Sequence, residues 1–198
     1  MVARTLLVAD QRDVDLAITF FTVLTVLTMA ATIGIVALAA LARFSATPAA
    51  RRIWQPFRSQ LSDGGLGLAW LVAAVSTGGS LYFSEVAGFT PCRLCWVQRA
   101  CMYPLVVVLA VALVWRPARW ISLVMACIGA VVASYHILIE RYPSLESSTC
   151  DPKNPCSLKW FERLGFITLP VMALSAFLFI VTLLLVSRPP TSTAQERS

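Results

Sequence analysis

The chain has 198 residues, 58% of them hydrophobic and 13% charged, and its mean hydropathy is +0.76. Soluble domains carry about a quarter charged residues, so this composition excludes an ordinary soluble enzyme and makes lipid the main solvent. A net charge of +6 then reads as membrane orientation, not as a surface for nucleic acid.

Five segments approach the roughly 20 apolar residues that a bilayer crossing needs: Leu16 to Phe44, Leu66 to Val86, Trp96 to Trp115, Trp120 to Ile139 and Phe166 to Ser187. The first follows Asp10, Asp13 and Asp15 where a signal peptide would be basic, and it is too long for a signal-peptide core. It is expected to remain as a helix. The polar stretch Ser45 to Gly65 groups with it, giving residues 1–65 as an N-terminal helix and cytoplasmic linker. Further along come a short link with two cysteines, a basic hinge from Arg116 to Arg119, a polar loop from Glu140 to Gly165 and a polar tail over 189–198. The tail is expected to be disordered and cytoplasmic. Neither a long repeat nor strand-like alternation is present, so the expected fold is an all-α integral membrane protein, with a four-helix transmembrane bundle over 66–188 and one extra N-terminal span.

Five spans put the termini on opposite sides. Basic residues divide evenly between the two sides, but four arginines, Arg43, Arg51, Arg52 and Arg58, follow the first helix closely, whereas only Arg4 and Arg12 precede it. The positive-inside rule then favours an N-terminus outside and a cytoplasmic C-terminus. The same orientation puts Cys92, Cys95, Cys150 and Cys156 on the outer face, where disulfides persist.

"PCRLCWVQR" spaces Cys92 and Cys95 as C-x-x-C, and "TCDPKNPCS" puts five residues between Cys150 and Cys156. A tetrahedral zinc site often uses a C-x-x-C half, but the second pair is no such knuckle and the compartment is oxidising, so no metal is expected. The second pair alone also fits a staple between two membrane helices. A C-x-x-C bridge closes too short a loop to constrain the unfolded chain much. With Pro91 before it, the pair falls on the first turn of a helix, where the backbone dipole favours a thiolate.

Arg99 lies one turn below Cys95 on the same helix face. It reads either as a snorkelling arginine or as a stabiliser of negative charge on a thiolate or reduced cofactor. His136, the only histidine, sits about one and a half turns inside the fourth span. An ionisable group there is a functional candidate, although hydrogen bonding to a neighbouring helix is the bland alternative. Glu140 is a possible partner if the helix extends that far. Cys101 and Cys127 read as small membrane-core residues, and Gly78, Gly79, Ser80, Gly129 and Ala133 as packing positions.

"SLYFSEV", "PCRLCWVQR" followed by "MYP", "SYH" and "CSLKWFERLGFITLP" resemble the disulfide-bond formation protein B (DsbB) family, in particular its Gram-positive BdbC-like branch. The resemblance runs from about Leu66 to Val186 and leaves out the N-terminal helix, a fifth span where the family usually has four. It implies a membrane oxidoreductase that reoxidises an extracytoplasmic DsbA-like or BdbD-like thiol oxidoreductase and passes the electrons to a membrane quinone, menaquinone or ubiquinone. By order in the family, Cys150 is attacked by the partner, Cys156 passes electrons to Cys92, and Cys95 meets the quinone. Cys92 is then expected to pair with Cys95, and Cys150 with Cys156. Arg99 and His136 become the cofactor-binding candidates.

Such a relay needs one thiol pair at the membrane edge and another on a loop that a soluble partner reaches. Pro143, Pro152 and Pro155 fit an irregular, mobile loop. "LKWFERL" reads either as an interfacial helix with Leu158, Phe161 and Leu164 on its apolar side or as the start of the fifth span. The competing functions are a vitamin K epoxide reductase-like quinone reductase and a non-catalytic membrane subunit with structural disulfides.

Overall fold

A computed structural model describes residues 10–44, 48–146 and 150–187. Five helices carry the fold: α1 Gln11–Phe44, α2 Pro48–Leu81, α3 Arg93–Val114, α4 Ala118–Arg141 and α5 Leu169–Val186. Each contains a stretch long and apolar enough to cross a membrane, which for α2 is Gly64–Val86. No strand occurs among the described residues.

The helices α2 to α5 form the bundle. α3 packs between α2 and α4, while α5 closes it against α2 and α4, and α1 lies on the outside against α5 and α2. Leu105, Leu109, Ala126, Ala133, Phe177, Ile180 and Leu183 are fully or almost fully buried at the centre. Because lipid is as apolar as leucine, close fit decides helix association here. Gly129 shows this: a Cβ at that position would collide with the Phe177 ring. Arg119, buried at the other end of α4, donates from Nη2 to the Leu184 carbonyl at 2.7 Å, satisfying a carbonyl in the last turn of α5.

α1 carries hydroxyls through the apolar layer. Thr22, Thr25 and Thr32 each donate to the carbonyl four residues back at 2.7 Å, so these three hydroxyls are paired within the helix.

Three boundaries differ from expectation. The polar stretch after Phe44 is not a loose linker, because α2 begins at Pro48 and runs through Pro56 into the membrane span as one helix; Ser45 to Thr47 fall outside the described residues. Proline suits a helix start, where its missing N–H is not needed. Secondly, "LKWFERL" forms neither an interfacial helix nor the start of α5. Residues 157–167 are turns closed by an antiparallel bridge between Arg163 and Ile167. Leu164 and Gly165 both adopt positive φ, 53° and 75°, a conformation that ends a helix. Thirdly, the hinge between α3 and α4 is only Trp115 to Pro117. The expected tail over 189–198 lies outside the described residues.

The outer end of α2 is distinctive. Tyr82–Val86 winds as a π-helix, with the Ala87 N–H donating to the Tyr82 carbonyl at 3.0 Å. Gly88 then reverses the chain at φ 74°, and the following extended link delivers Cys92 to the start of α3.

Candidate functional site

Cys92 is the N-cap of α3, and its sulfur accepts a hydrogen bond from the Cys95 N–H at 3.3 Å. The two sulfurs are 2.9 Å apart and not bonded. Cys150 and Cys156 are joined by a disulfide. The observed state is therefore a reduced C-x-x-C couple beside an oxidised loop couple, whereas the sequence reading expected two bridges. Cys101 and Cys127 are free, as expected, but Cys127 is exposed on the outer surface of the bundle and not in its core.

The two couples share one small buried cluster with Ile139. His136 lies between them. Its Nε2 is 3.6 Å from the Cys92 sulfur and 3.0 Å from the Cys156 carbonyl oxygen. A carbonyl only accepts, so Nε2 carries a proton. On the other side of the ring, Nδ1 faces Gln98 Nε2 at 3.0 Å, and with the amide so oriented it accepts, which makes the imidazole the neutral Nε2–H tautomer. Cys92, Cys95 and His136 also bring three ligand atoms within 4.8 Å of one another. With both ring nitrogens engaged by Gln98 and Cys156, however, the histidine has no lone pair to offer a metal in this arrangement.

Cys92 stands just before the α3 span. Its thiol is lowered from the ordinary value to about 4, first by the hydrogen bond with the Cys95 thiol and then by the His136 ring, while burial acts in the opposite direction. It is poised as a thiolate.

Arg99 occupies the opposite flank of α3. Its Nε and Nη2 donate to the side-chain and main-chain oxygens of Ser80, each at 2.9 Å, and its guanidinium carbon is 5.2 Å from the centroid of the Trp96 ring. Ser80, which the sequence suggested only as a packing residue, is thus the anchor that holds Arg99 on α2. A cavity of about 500 Å³ opens beside it, walled by α1, α2 and α5 and bordered by Cys95, Gln98 and Arg99. Its lining is overwhelmingly apolar, and it has the size of sites that hold cofactor-scale molecules. Cys92 and His136 do not border it. They face a small crevice with Glu140, Asn154 and Leu158, which Cys95 also borders. His136, a cofactor-binding candidate from the sequence, is therefore placed on the loop side of the cysteine couple.

The described part of the loop is docked against the bundle, where the sequence reading expected a mobile loop. Cys156 is fully buried and Cys150 nearly so. Asn154 Nδ2 donates to the Pro91 carbonyl at 3.1 Å. Glu146 accepts from the Cys156 N–H and, at 2.8 Å, from the Ser157 hydroxyl. Trp160 stacks on Phe89 at 4.9 Å between centroids, and Phe89 in turn stacks on Phe83 of the π-turn at 5.7 Å. None of these docking residues was singled out by spacing, because their partners are distant in the chain. α4 does extend through Glu140, whose carboxylate accepts from the Thr168 hydroxyl at 2.6 Å.

A family model described as "Disulfide bond formation protein DsbB" matches residues 63–154. The chain is 42% identical to disulfide bond formation protein C of Bacillus subtilis over 116 residues, which is 57% of this chain and 84% of that protein. It is 38% identical to a "probable disulfide formation protein" of Oceanobacillus iheyensis, over 59% of this chain and 83% of that one. Identity to "probable disulfide formation protein C 1" of Bacillus anthracis is also 38%, over 62% and 91% respectively. No solved structure matches. With a relative this similar over most of that relative's length, and with five helices long and apolar enough to cross a membrane bringing two cysteine couples together, the chain belongs to the DsbB family of disulfide-forming membrane oxidoreductases.

Proposed function

We propose that the protein regenerates a soluble, thioredoxin-like dithiol oxidoreductase outside the cell membrane and delivers the electrons to a membrane quinone. The observation that carries this reading is the way the C-x-x-C couple joins two spaces: Cys95 borders both the apolar cavity with Arg99 and the crevice, whereas Cys92 borders only the crevice, beside His136 on the Cys156 side. On the orientation favoured by the basic residues, this end of the bundle is extracytoplasmic, the N-terminus lies outside and the C-terminus is cytoplasmic.

A thiolate of the partner attacks Cys150, breaking the Cys150–Cys156 bond and releasing Cys156. The partner's second thiol then displaces Cys150, and the partner leaves with a disulfide. In the oxidised enzyme Cys156 attacks Cys92, and Cys95 departs as a thiolate. Cys150 attacks Cys156 in that mixed disulfide, restoring the loop bridge and releasing Cys92. The partner's two electrons are now on Cys92 and Cys95. His136 Nε2–H stabilises the Cys92 thiolate. Arg99, fixed by Ser80, supplies positive charge at the cavity end where Cys95 must give up its electrons. The apolar cavity with one charged end fits a quinone, which when bound accepts two electrons and two protons.

Purified protein in lipid nanodiscs, given a reduced thioredoxin-like partner and a quinone, should bleach the quinone absorbance in step with partner oxidation. Oxidation of the partner that stops after one equivalent, with no quinone consumed, would reject the proposal.

A further inference from the structure

α1 lies wholly outside the residues matched by the family model, 63–154, yet it forms one wall of the cavity. Phe21, Leu24, Thr25, Thr28 and Ala31 border it. Their spacing puts them along one helix face for about three turns. This face is fitted to its neighbours: the Phe21 ring sits against Gly79 where any Cβ would collide, packs on Phe83 at 5.5 Å between centroids, and Thr28 Oγ1 reaches Ser175 Oγ at 3.4 Å. The opposite wall runs down α2 from Ser80 through Val75 to Leu68, about 18 Å of helix. The cavity is therefore an elongated apolar channel, with the Cys95 and Arg99 end as its only strongly polar part. A ring seated at that end leaves the rest of the channel to be filled.

Resting on the quinone reading above, we infer that α1 is the tail-binding wall of the site: Leu24, Thr25 and Thr28 line the path of the apolar chain that trails from a quinone ring held at Cys95 and Arg99, and they set which tails are accepted. Membrane quinones differ from simple ring analogues in just this chain. Without α1 the groove between α2 and α5 would face the acyl chains of the bilayer.

The test uses the full-length protein in nanodiscs, with reduced partner as electron donor and two acceptors sharing one ring, one with a long isoprenoid tail and one without. Thr28→Phe, which fills the channel, should raise KM for the tailed quinone at least about fivefold, the lower end of an overpacking cost, and leave kcat and the tail-less acceptor nearly unchanged. Val23→Phe, on a half-exposed neighbouring position that does not border the cavity, should change neither. Should Thr28→Phe fail to fold, Leu24→Ala gives the converse reading, a lost preference between tailed and tail-less acceptors. A photoreactive group on the tail should label residues 20–31 in the unsubstituted protein. If that protein reduces both quinones while Thr28→Phe and Leu24→Ala treat them alike and no label reaches α1, the channel holds only bilayer lipid and the role of α1 is overturned, though the quinone reading stands. If it reduces neither quinone, that reading falls and this one with it.

Discussion

The Nε2 atom of His136 stands 3.6 Å from the sulfur of Cys92, and the same atom is 3.0 Å from the main chain of Cys156. A single N–H thus touches both couples. His136→Ala should slow transfer between them by about 100-fold, the low end for a positioned proton donor. The first partner equivalent should still be oxidised at the loop bridge in a rapid burst. Rapid-mix kinetics showing an unchanged steady state would remove His136 from the relay.

Ser80 holds Arg99 by accepting two hydrogen bonds from it, one at its side-chain oxygen. A hydrogen bond to a charged group contributes about 1.5–3 kcal/mol, so Ser80→Ala should weaken quinone use by about tenfold in KM. Both disulfides should still form, because the substitution leaves every cysteine in place. Arg99→Lys should resemble it, since lysine has no second donor in the fixed fork geometry.

Cys92 is lowered to about 4, first by the hydrogen bond with Cys95. Such a group favours the folded, reduced enzyme fully above the ordinary thiol range of about 8.5, and this advantage is lost as pH falls toward about 4. In ultraviolet titration of the reduced protein, thiolate absorbance should persist through neutral pH and disappear near that lower value. Cys95→Ala should shift the midpoint upward. A midpoint near 8.5 in the parent protein would show that the cap and its neighbours do not hold the charge.

The two couples should fail differently. Cys156→Ser leaves Cys150 with no bridge to exchange, so partner oxidation should be lost outright. Cys95→Ser should allow the loop bridge to oxidise one partner equivalent and then stop, with Cys92, Cys150 and Cys156 all recovered as free thiols by mass spectrometry after alkylation. Quinone reduction at the normal rate in Cys95→Ser would refute the assignment of the inner couple.

Arg163 and Asp15 join the loop to α1 at 2.9 Å, but their side chains are 44% and 66% exposed. Exposed pairs contribute roughly 0–1 kcal/mol. Asp15→Asn should therefore shift thermal unfolding only slightly, and the shift should vanish at high salt.

The five spans were legible from the sequence because an apolar run long enough to cross a bilayer has few alternatives, and the cysteine couples were legible from spacing and compartment. What was not legible depended on contacts between distant segments. "LKWFERL" has a helical pattern, yet Trp160 is committed to Phe89 and the Leu164–Gly165 turn breaks the pattern before α5. The prolines around Cys150 and Cys156 suggested mobility. They do prevent helix, but Asn154 and Glu146 dock the loop all the same. Ser80 looked like one more small packing residue because its role appears only when Arg99 arrives from α3. The amphipathic face of α1 gave no warning of a cavity, since in lipid an apolar wall and an apolar exterior are written with the same residues.

The depth of the Cys150–Cys156 bridge has a consequence for traffic through the enzyme. A disulfide between two buried cysteines, 9% and 0% exposed, gives a small reductant drifting in bulk water little access. Only a protein large enough to grip the loop and lift it would expose the bond it means to attack. The burial that keeps the two couples in contact thus also acts as insulation, shielding the loop bridge from stray thiols.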